Sequence, residues 1–152
     1  MDYKHKTAIL FAIFLVMNVG LGQHRNGPSI TYFSIDPITL NFPESNTVKF
    51  YVGATDSSSG VGSVYINLQN SVYSQSIEDT SYSGAIGILD SLQIIFEDEN
   101  ESTDFWEVDY IRLGDELDNY SYYYKQDLIE LGYETEFLLI NHTLDNTPEL
   151  SH

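Results

Sequence analysis

Two segments of the chain alternate strictly between apolar and other side chains. In residues 48–54 and 64–68 every second residue is Val, Ile, Leu, Phe or Ala, and Lys, Tyr, Gly or Asn stands between them. Because successive side chains of a β-strand point to opposite faces of a sheet, this period of two predicts strands with one face in a core. No long segment shows the 3.6-residue period of an amphipathic helix. The sequence therefore predicts an all-β fold.

Shorter apolar segments continue this pattern over most of the remaining chain. Turn residues separate them, as at Pro37, at Pro43 and across residues 56–62. About seven short strands with such turns between them predict one antiparallel β-sandwich. The segments expected in strands are 30–33, 38–42, 48–54, 64–68, a short piece within 70–87, 92–96, 105–113, 120–124 and 136–141.

Three local features refine this expectation. The alternation breaks between Val108 and Ile111, which predicts a β-bulge. Residues 126–131 favour a short helical turn, and Gly132 stands where such a helix would stop. Trp106 is expected to anchor the core between the two sheets, as a buried tryptophan does in some two-sheet sandwiches.

The first 22 residues have the three-part layout of a secretory signal peptide. A basic start at residues 4–6 precedes an unbroken apolar run at residues 8–17, and Gly20 and Gly22 are the small residues before Gln23. The apolar run is about half of the roughly 20 residues that a spanning helix needs, which favours a cleaved signal over an uncleaved anchor or a buried helix. We therefore expect a secreted or cell-surface protein.

The chain is expected to divide into four segments. Residues 1–22 form the signal peptide, 23–29 a linker and 30–144 the sandwich domain. Residues 145–152 form a linker or the start of a further module, because residues 146–150 repeat the Asn-x-Pro-x-apolar pattern of residues 26–30.

Composition excludes several classes of function. The chain has no cysteine, so disulfides, a thiol nucleophile and a zinc thiolate site are excluded. It holds 6 basic and 23 acidic residues. Since Asp2, Lys4 and Lys6 lie in the signal segment, 4 basic and 22 acidic residues follow it, a net charge of −18. Nucleic acid and anionic lipid surfaces bind through basic side chains, so neither is an expected partner.

Several turns and strands, taken in order, resemble a known family. They are the Asp-Ser-Ser-Ser-Gly-Val turn at 56–61, the Trp-Glu-Val strand at 106–108, the turn at 115–119 and the Leu-Gly at 131–132. Together they resemble the immunoglobulin-like repeats of large secreted bacterial proteins over roughly residues 28–150. One departure is Asp118, which stands where the family has glycine.

The resemblance implies an immunoglobulin-like β-sandwich that acts as a non-catalytic spacer or adhesion module. Its implied partners are neighbouring modules of the same or a related chain, or a surface glycan or protein. No Gly-x-Ser-x-Gly motif and no recognisable pair of carboxylates flanking a cleft supports a hydrolase. We therefore expect no enzymatic activity.

Acidic residues in the two turns of the resemblance are candidates for a calcium site. Calcium takes six to eight oxygen ligands, several of them carboxylates. The candidate metal ligands are Asp56, Asp115, Asp118 and Asn119. The alternative is that Asp56, Asp115 and Asn119 cap their turns through hydrogen bonds from side chain to backbone.

Tyrosines concentrated in residues 120–124 are the candidate ligand-binding group. Exposed aromatic rings can stack on sugar rings, which makes a carbohydrate-binding module the alternative function. The residues expected to contact the ligand are Tyr122 and Tyr123. The other interpretation is that one side of this strand packs into the core, since Tyr suits strands well.

Overall fold

A computed structural model describes residues 27–97 and 103–142 of the chain. The predicted signal peptide at 1–22 and the predicted linker at 145–152 lie outside these residues. Nine strands and one α-helix are present in the described part: β1 Ser29–Asp36, β2 Thr39–Phe42, β3 Thr47–Thr55, β4 Val61–Gln69, β5 Ser74–Asp79, β6 Gly87–Ile95, β7 Asp104–Asp115, β8 Tyr120–Tyr124, α1 Lys125–Glu130 and β9 Glu136–Asn141.

The strands form two sheets that pack as a β-sandwich, which confirms the predicted all-β architecture. The small sheet has the order β1-β3-β6. The large sheet has the order β2-β9-β7-β4-β5, and β8 pairs with β7 beyond the end of β9. The described residues thus contain nine strands, one near each of the nine segments expected above, and more than the roughly seven expected for the sandwich.

The pairing between β2 and β9 is parallel, which corrects the prediction of a wholly antiparallel sandwich. The chain leaves the small sheet at the end of β1, passes Pro37 and enters the large sheet as β2. Because β2 follows a crossing between sheets and not a hairpin, it is free to run beside β9 in the same direction. Leu40 and Leu139 lie side by side in this pair, and both are fully buried.

The predicted bulge is confirmed in the pairing of β4 with β7. Asn67 pairs with Tyr110 and Leu68 pairs with Val108, so Asp109 is the additional residue of β7. The bulge restores the inward direction of Ile111, which is fully buried. The start of β6 was predicted less well. This strand begins at Gly87, five residues before the predicted segment 92–96.

Aromatic rings from both sheets meet in the core. Phe50 of β3 packs edge-to-face on Phe137 of β9, with ring centroids 6.1 Å apart. Phe96, directly after β6, packs in the same way on Trp106 of β7 at 5.5 Å and on Phe137 at 6.0 Å. Trp106 is fully buried, as predicted, and the rings thereby join the two layers.

The short helix α1 fills the gap between β8 and β9 along the edge of β7. The backbone N–H of Tyr124 donates to the Asp127 carboxylate at 3.0 Å. Leu128, on the inner side of the helix, is fully buried. Gly132, with a φ of +84°, ends the turn after the helix as predicted. No helix in residues 27–97 and 103–142 is long and apolar enough to cross a membrane.

Truncation of Trp106 should measure the contribution of the ring contacts between the sheets. We expect Trp106→Ala to lower the free energy of unfolding by about 3–5 kcal/mol, because it removes buried area and leaves a cavity. Urea titration followed by far-ultraviolet circular dichroism would measure this loss without depending on the tryptophan fluorescence.

Phe105→Ala is the matched control, since Phe105 is the neighbouring aromatic residue and is 61% exposed. Its effect should stay within about 0.5 kcal/mol. Equal losses for the two variants would contradict the placement of Trp106 in the core.

Candidate functional site

Asp56 closes the turn between β3 and β4. Its Oδ1 accepts hydrogen bonds from the backbone N–H of Ser58 at 2.7 Å and of Ser59 at 3.2 Å, and from the Ser58 hydroxyl at 2.7 Å. These bonds lower the pKa of Asp56, because they favour the ionised carboxylate. Asp56 therefore acts as the cap of an Asx turn.

Asp115 performs the same task at the end of β7. Its Oδ1 accepts the backbone N–H groups of Leu117 at 2.9 Å and of Asn119 at 2.7 Å. Its Oδ2 accepts the Asn119 side-chain amide at 2.8 Å and the Ser59 hydroxyl. Ser59 belongs to the other turn, so this last bond ties the two turns together at one end of the sandwich.

The ionised form of Asp115 is strongly favoured. Burial would raise the pKa of this carboxyl, since only 6% of the residue is exposed. The hydrogen bonds from Ser59, Asn119 and Leu117 outweigh burial and lower the pKa of Asp115 to about 2. The carboxylate therefore remains charged and hydrogen-bonded at all but strongly acidic pH.

Asp118 takes the left-handed conformation that the glycine of the resembled family would provide. Its φ is +61°, a region that Asp tolerates better than most residues. Its carboxylate accepts the Tyr120 hydroxyl at 3.2 Å. Asp118 thus shapes the hairpin between β7 and β8 despite the departure from the family pattern.

The structure brings the turns of Asp56, Asp115 and Asn119 together, and it supports their turn-capping interpretation. An ion at Asp115 would have to displace the four donors that its oxygens accept. Among residues 27–97 and 103–142, no three His, Asp or Glu side chains converge in a way that could hold a metal. Calcium binding at Asp56, Asp115, Asp118 and Asn119 stays a prediction.

Tyrosines of three adjacent strands share the outer face of the large sheet. They are Tyr65 of β4, Tyr110 of β7, and Tyr122 and Tyr124 of β8, and we call this group the tyrosine face. Each belongs to the outward-facing set of its strand: Tyr65, for example, lies between the buried Val64 and Ile66. Tyr124 is 54% exposed, and the others are partly exposed.

The rings of the tyrosine face contact one another. Tyr65 and Tyr110 are nearly parallel with centroids 5.7 Å apart, and Tyr110 lies 5.9 Å from Tyr122 and 6.0 Å from Tyr124. Tyr122 and Tyr124 are also nearly parallel, at 6.3 Å. Because each ring is flanked by others and stands on a paired strand, the face is a preformed surface.

Arg112 lies between the tyrosines and holds their flank in place. Its guanidinium carbon lies 4.8 Å from the ring centre of Tyr65 and 5.1 Å from that of Tyr120. One guanidinium nitrogen donates to the Glu78 carboxylate at 2.8 Å. The cation is thus covered by two rings and paired with a carboxylate.

Of the two predicted ligand-binding tyrosines, only Tyr122 belongs to this face. The prediction that Tyr123 contacts a ligand is wrong. Tyr123 is 3% exposed, and its hydroxyl accepts a hydrogen bond from the backbone N–H of Ile30 at 3.0 Å. The alternation of β8 places Tyr122 and Tyr124 outward and Tyr123 inward, so its ring packs in the core and cannot stack on a ligand.

Sequence reasoning missed Tyr65 and Tyr110 as members of the face. A signal was present for Tyr65, which alternates with Val64 and Ile66. For Tyr110 the outward position depends on the bulge at Asp109, which places it next to the inward Ile111. Their proximity to Tyr122, however, depends on β4, β7 and β8 being neighbours, and the spacing along the chain does not determine this pairing.

A second aromatic surface lies on the opposite side of the sandwich. Tyr32 and Tyr51 on the small sheet, with Leu89, line an open groove of about 520 Å³. Tyr32 is 46% exposed and Leu89 is 73% exposed. The groove is shallow and apolar, and it provides a comparison surface for the tyrosine face.

Comparison with models of known protein families gives no match, and no curated protein matches the chain.

The depressed pKa of Asp115 predicts an acid-sensitive contribution to stability. The unfolded carboxyl has a pKa near 3.8, so between about pH 4 and pH 2 the unfolded chain binds more protons than the folded one. The stabilisation is complete above this window and is lost as the pH falls through it. In urea titrations, Asp115→Asn should be less stable than the parent at pH 6, and this difference should shrink towards pH 2.

Asp118→Asn is the matched control for this experiment. It removes the same charge from the same turn, tolerates the positive φ and leaves the hydrogen bonds of Asp115 in place. A difference between Asp115→Asn and the parent that does not change with pH would contradict the role assigned to Asp115.

A melting experiment separates the two interpretations of the aspartate turns. Because the oxygens of Asp115 already accept four donors, we expect the same melting temperature in millimolar calcium and in chelator. A melting temperature that is higher in calcium would instead support an ion at these residues, if Asp115→Asn abolishes the increase. The control Glu44→Gln, which removes an exposed carboxylate outside these turns, should then retain it.

Proposed function

We propose that this chain is a non-catalytic extracellular module, a spacer or adhesion domain of an exported bacterial protein. It would contact surface polymers and neighbouring modules of the same or a related chain. The signal-peptide layout of residues 1–22 supports export, and the closed sandwich supports a structural or binding role.

The order of the strands supports an immunoglobulin-like fold. That fold places its strands A, B, E and D in one sheet and C, F and G in the other. Here β1, β3 and β6 occupy the positions of A, B and E, and β4, β7 and β9 occupy those of C, F and G. The small sheet, as described, has no strand at the position of D. The likeness to immunoglobulin-like repeats of secreted bacterial proteins rests on this order together with the turn motifs.

The tyrosine face is the observation that carries an adhesive role. Four partly exposed aromatic side chains on one regular sheet surface are of the residue type enriched in binding interfaces. The acidic residues of the turns are engaged as caps, and none of their hydrogen bonds forms an acid–base pair across a cleft. A contact surface therefore accounts for the exposed chemistry better than catalysis does.

A carbohydrate-binding module is the second candidate within this class. It is favoured by the presence of Tyr122 among four neighbouring tyrosines, since aromatic rings can stack on sugar rings. This candidate differs from a pure spacer in requiring the tyrosine face to be accessible.

A retention assay without turnover tests the proposed function. The chain would be expressed with its native N-terminus, and the product released to the medium, expected to begin at Gln23, would be incubated with immobilised extracellular proteins and polysaccharides. We expect retention on at least one polymer with no release of soluble fragments. Soluble product whose formation is lost in an acidic-residue variant would contradict the non-catalytic proposal. The absence of retention on every polymer would contradict the adhesive role and leave that of a spacer.

A further inference from the structure

We propose that the tyrosine face binds an uncharged polysaccharide. This inference rests on the proposed function, because it names the class of polymer that the adhesion module would contact. It adds a selectivity, namely that neutral sugar chains are bound and anionic ones are rejected. The argument comes from the residues that the strand register places side by side on this face.

One row across the face contains no ionisable acid or base apart from phenols. Its members, in order from β5 to β8, are Ser76, Asn67, Tyr110 and Tyr124. The row offers two aromatic rings for the C–H faces of sugar rings. Its hydroxyl and amide groups interact with the Tyr65 hydroxyl, and they can exchange these contacts for hydrogen bonds with sugar hydroxyls.

The adjacent row contains charges that compensate each other. Its members, in the same order, are Glu78, Tyr65, Arg112 and Tyr122. The Arg112 guanidinium is 2.8 Å from the Glu78 carboxylate and is covered by the rings of Tyr65 and Tyr120. The two rows together therefore carry no net charge.

The remainder of the chain makes an anionic ligand unfavourable. The net charge is −17 for the whole sequence, and the cation of this face is already paired with Glu78. An anionic polymer would be repelled over the Debye length without gaining an available cation on the face. A neutral polymer meets no such repulsion, and its mixed surface of C–H and O–H groups matches rings that alternate with polar side chains.

The composition of the face also favours a sugar over a protein partner. Protein interfaces usually bury apolar anchors at their centre. The eight positions of the two rows contain no aliphatic side chain, whereas the groove on the small sheet includes Leu89 and Ile88. The more apolar surface of the sandwich is therefore on the opposite side from the tyrosine face.

Binding to defined polysaccharides tests this inference directly. The secreted chain would be mixed with insoluble cellulose, chitin and xylan as neutral polymers, and with immobilised alginate, polygalacturonate and hyaluronan as anionic ones. We expect retention on at least one neutral polymer and none on the anionic set. Tyr122→Ala and Tyr124→Ala should each weaken this retention by about tenfold or more.

Two variants of the groove serve as matched controls. Tyr32→Ala and Tyr51→Ala remove tyrosines of the small sheet, and both should retain the parental affinity. Because Tyr124 is more than half exposed, Tyr124→Ala should also keep the parental melting temperature, which separates lost binding from lost folding.

The possible outcomes distinguish a failure of the neutral-polysaccharide inference from a failure of the proposed function. Retention on immobilised proteins alone overturns the neutral-polysaccharide ligand but leaves the adhesion proposal intact. Retention on anionic polymers overturns the selectivity, and equal losses in Tyr32→Ala and Tyr124→Ala overturn the location of the site. Absence of retention on every protein and polysaccharide overturns both the ligand and the adhesive role, and leaves that of a spacer.

Discussion

The ring contacts between the two sheets are the interaction on which the rest of the structure depends. Phe96 of the small-sheet side packs on Trp106 and Phe137 of the large sheet, and Phe50 also reaches Phe137. The chain has no disulfide, so these aromatic contacts and the buried aliphatic side chains around them hold the layers together. Because the inner faces of the two sheets form the core, the outer face of each sheet is not needed for packing between the layers.

The aspartate turns complement the core by fixing the end of the sandwich. Ser59 joins the turn after β3 to the Asp115 turn after β7. One hydrogen bond therefore links the connection between the two sheets to the β7–β8 hairpin of the large sheet. The Asp115 turn also starts β8 in register with β7, which places Tyr122 opposite Arg112. Residues that first suggested a metal site thus support the surface that carries the tyrosines.

The acidic side chains that stabilise turns and ion pairs are different residues from those that form the tyrosine face. Acidic side chains dominate the sequence, yet several of them are turn caps or ion-pair partners, as Asp56, Asp115 and Glu78 are. The tyrosine face lies within this acidic surface and has compensated charges of its own. Repulsion between acidic side chains can keep such a protein from associating with itself, and the tyrosine face remains the surface without net charge to which we assign the proposed polysaccharide.

The sequence by itself determined the β class, most strand positions, the bulge near Asp109 and the stop at Gly132, because these follow from local alternation and turn chemistry. The burial of Trp106 was expected only by analogy with the buried tryptophan of immunoglobulin-like sandwiches. Only the tertiary structure decided the parallel β2–β9 pair, the inward direction of Tyr123 and the meeting of Tyr65 with Tyr110 and Tyr122. A period of two shows that successive side chains point to opposite faces of the sheet. It does not show which of the two faces packs into the core when the side chains on both are aromatic. Strand adjacency likewise depends on contacts between residues far apart in the chain, and these arise only when the layers pack.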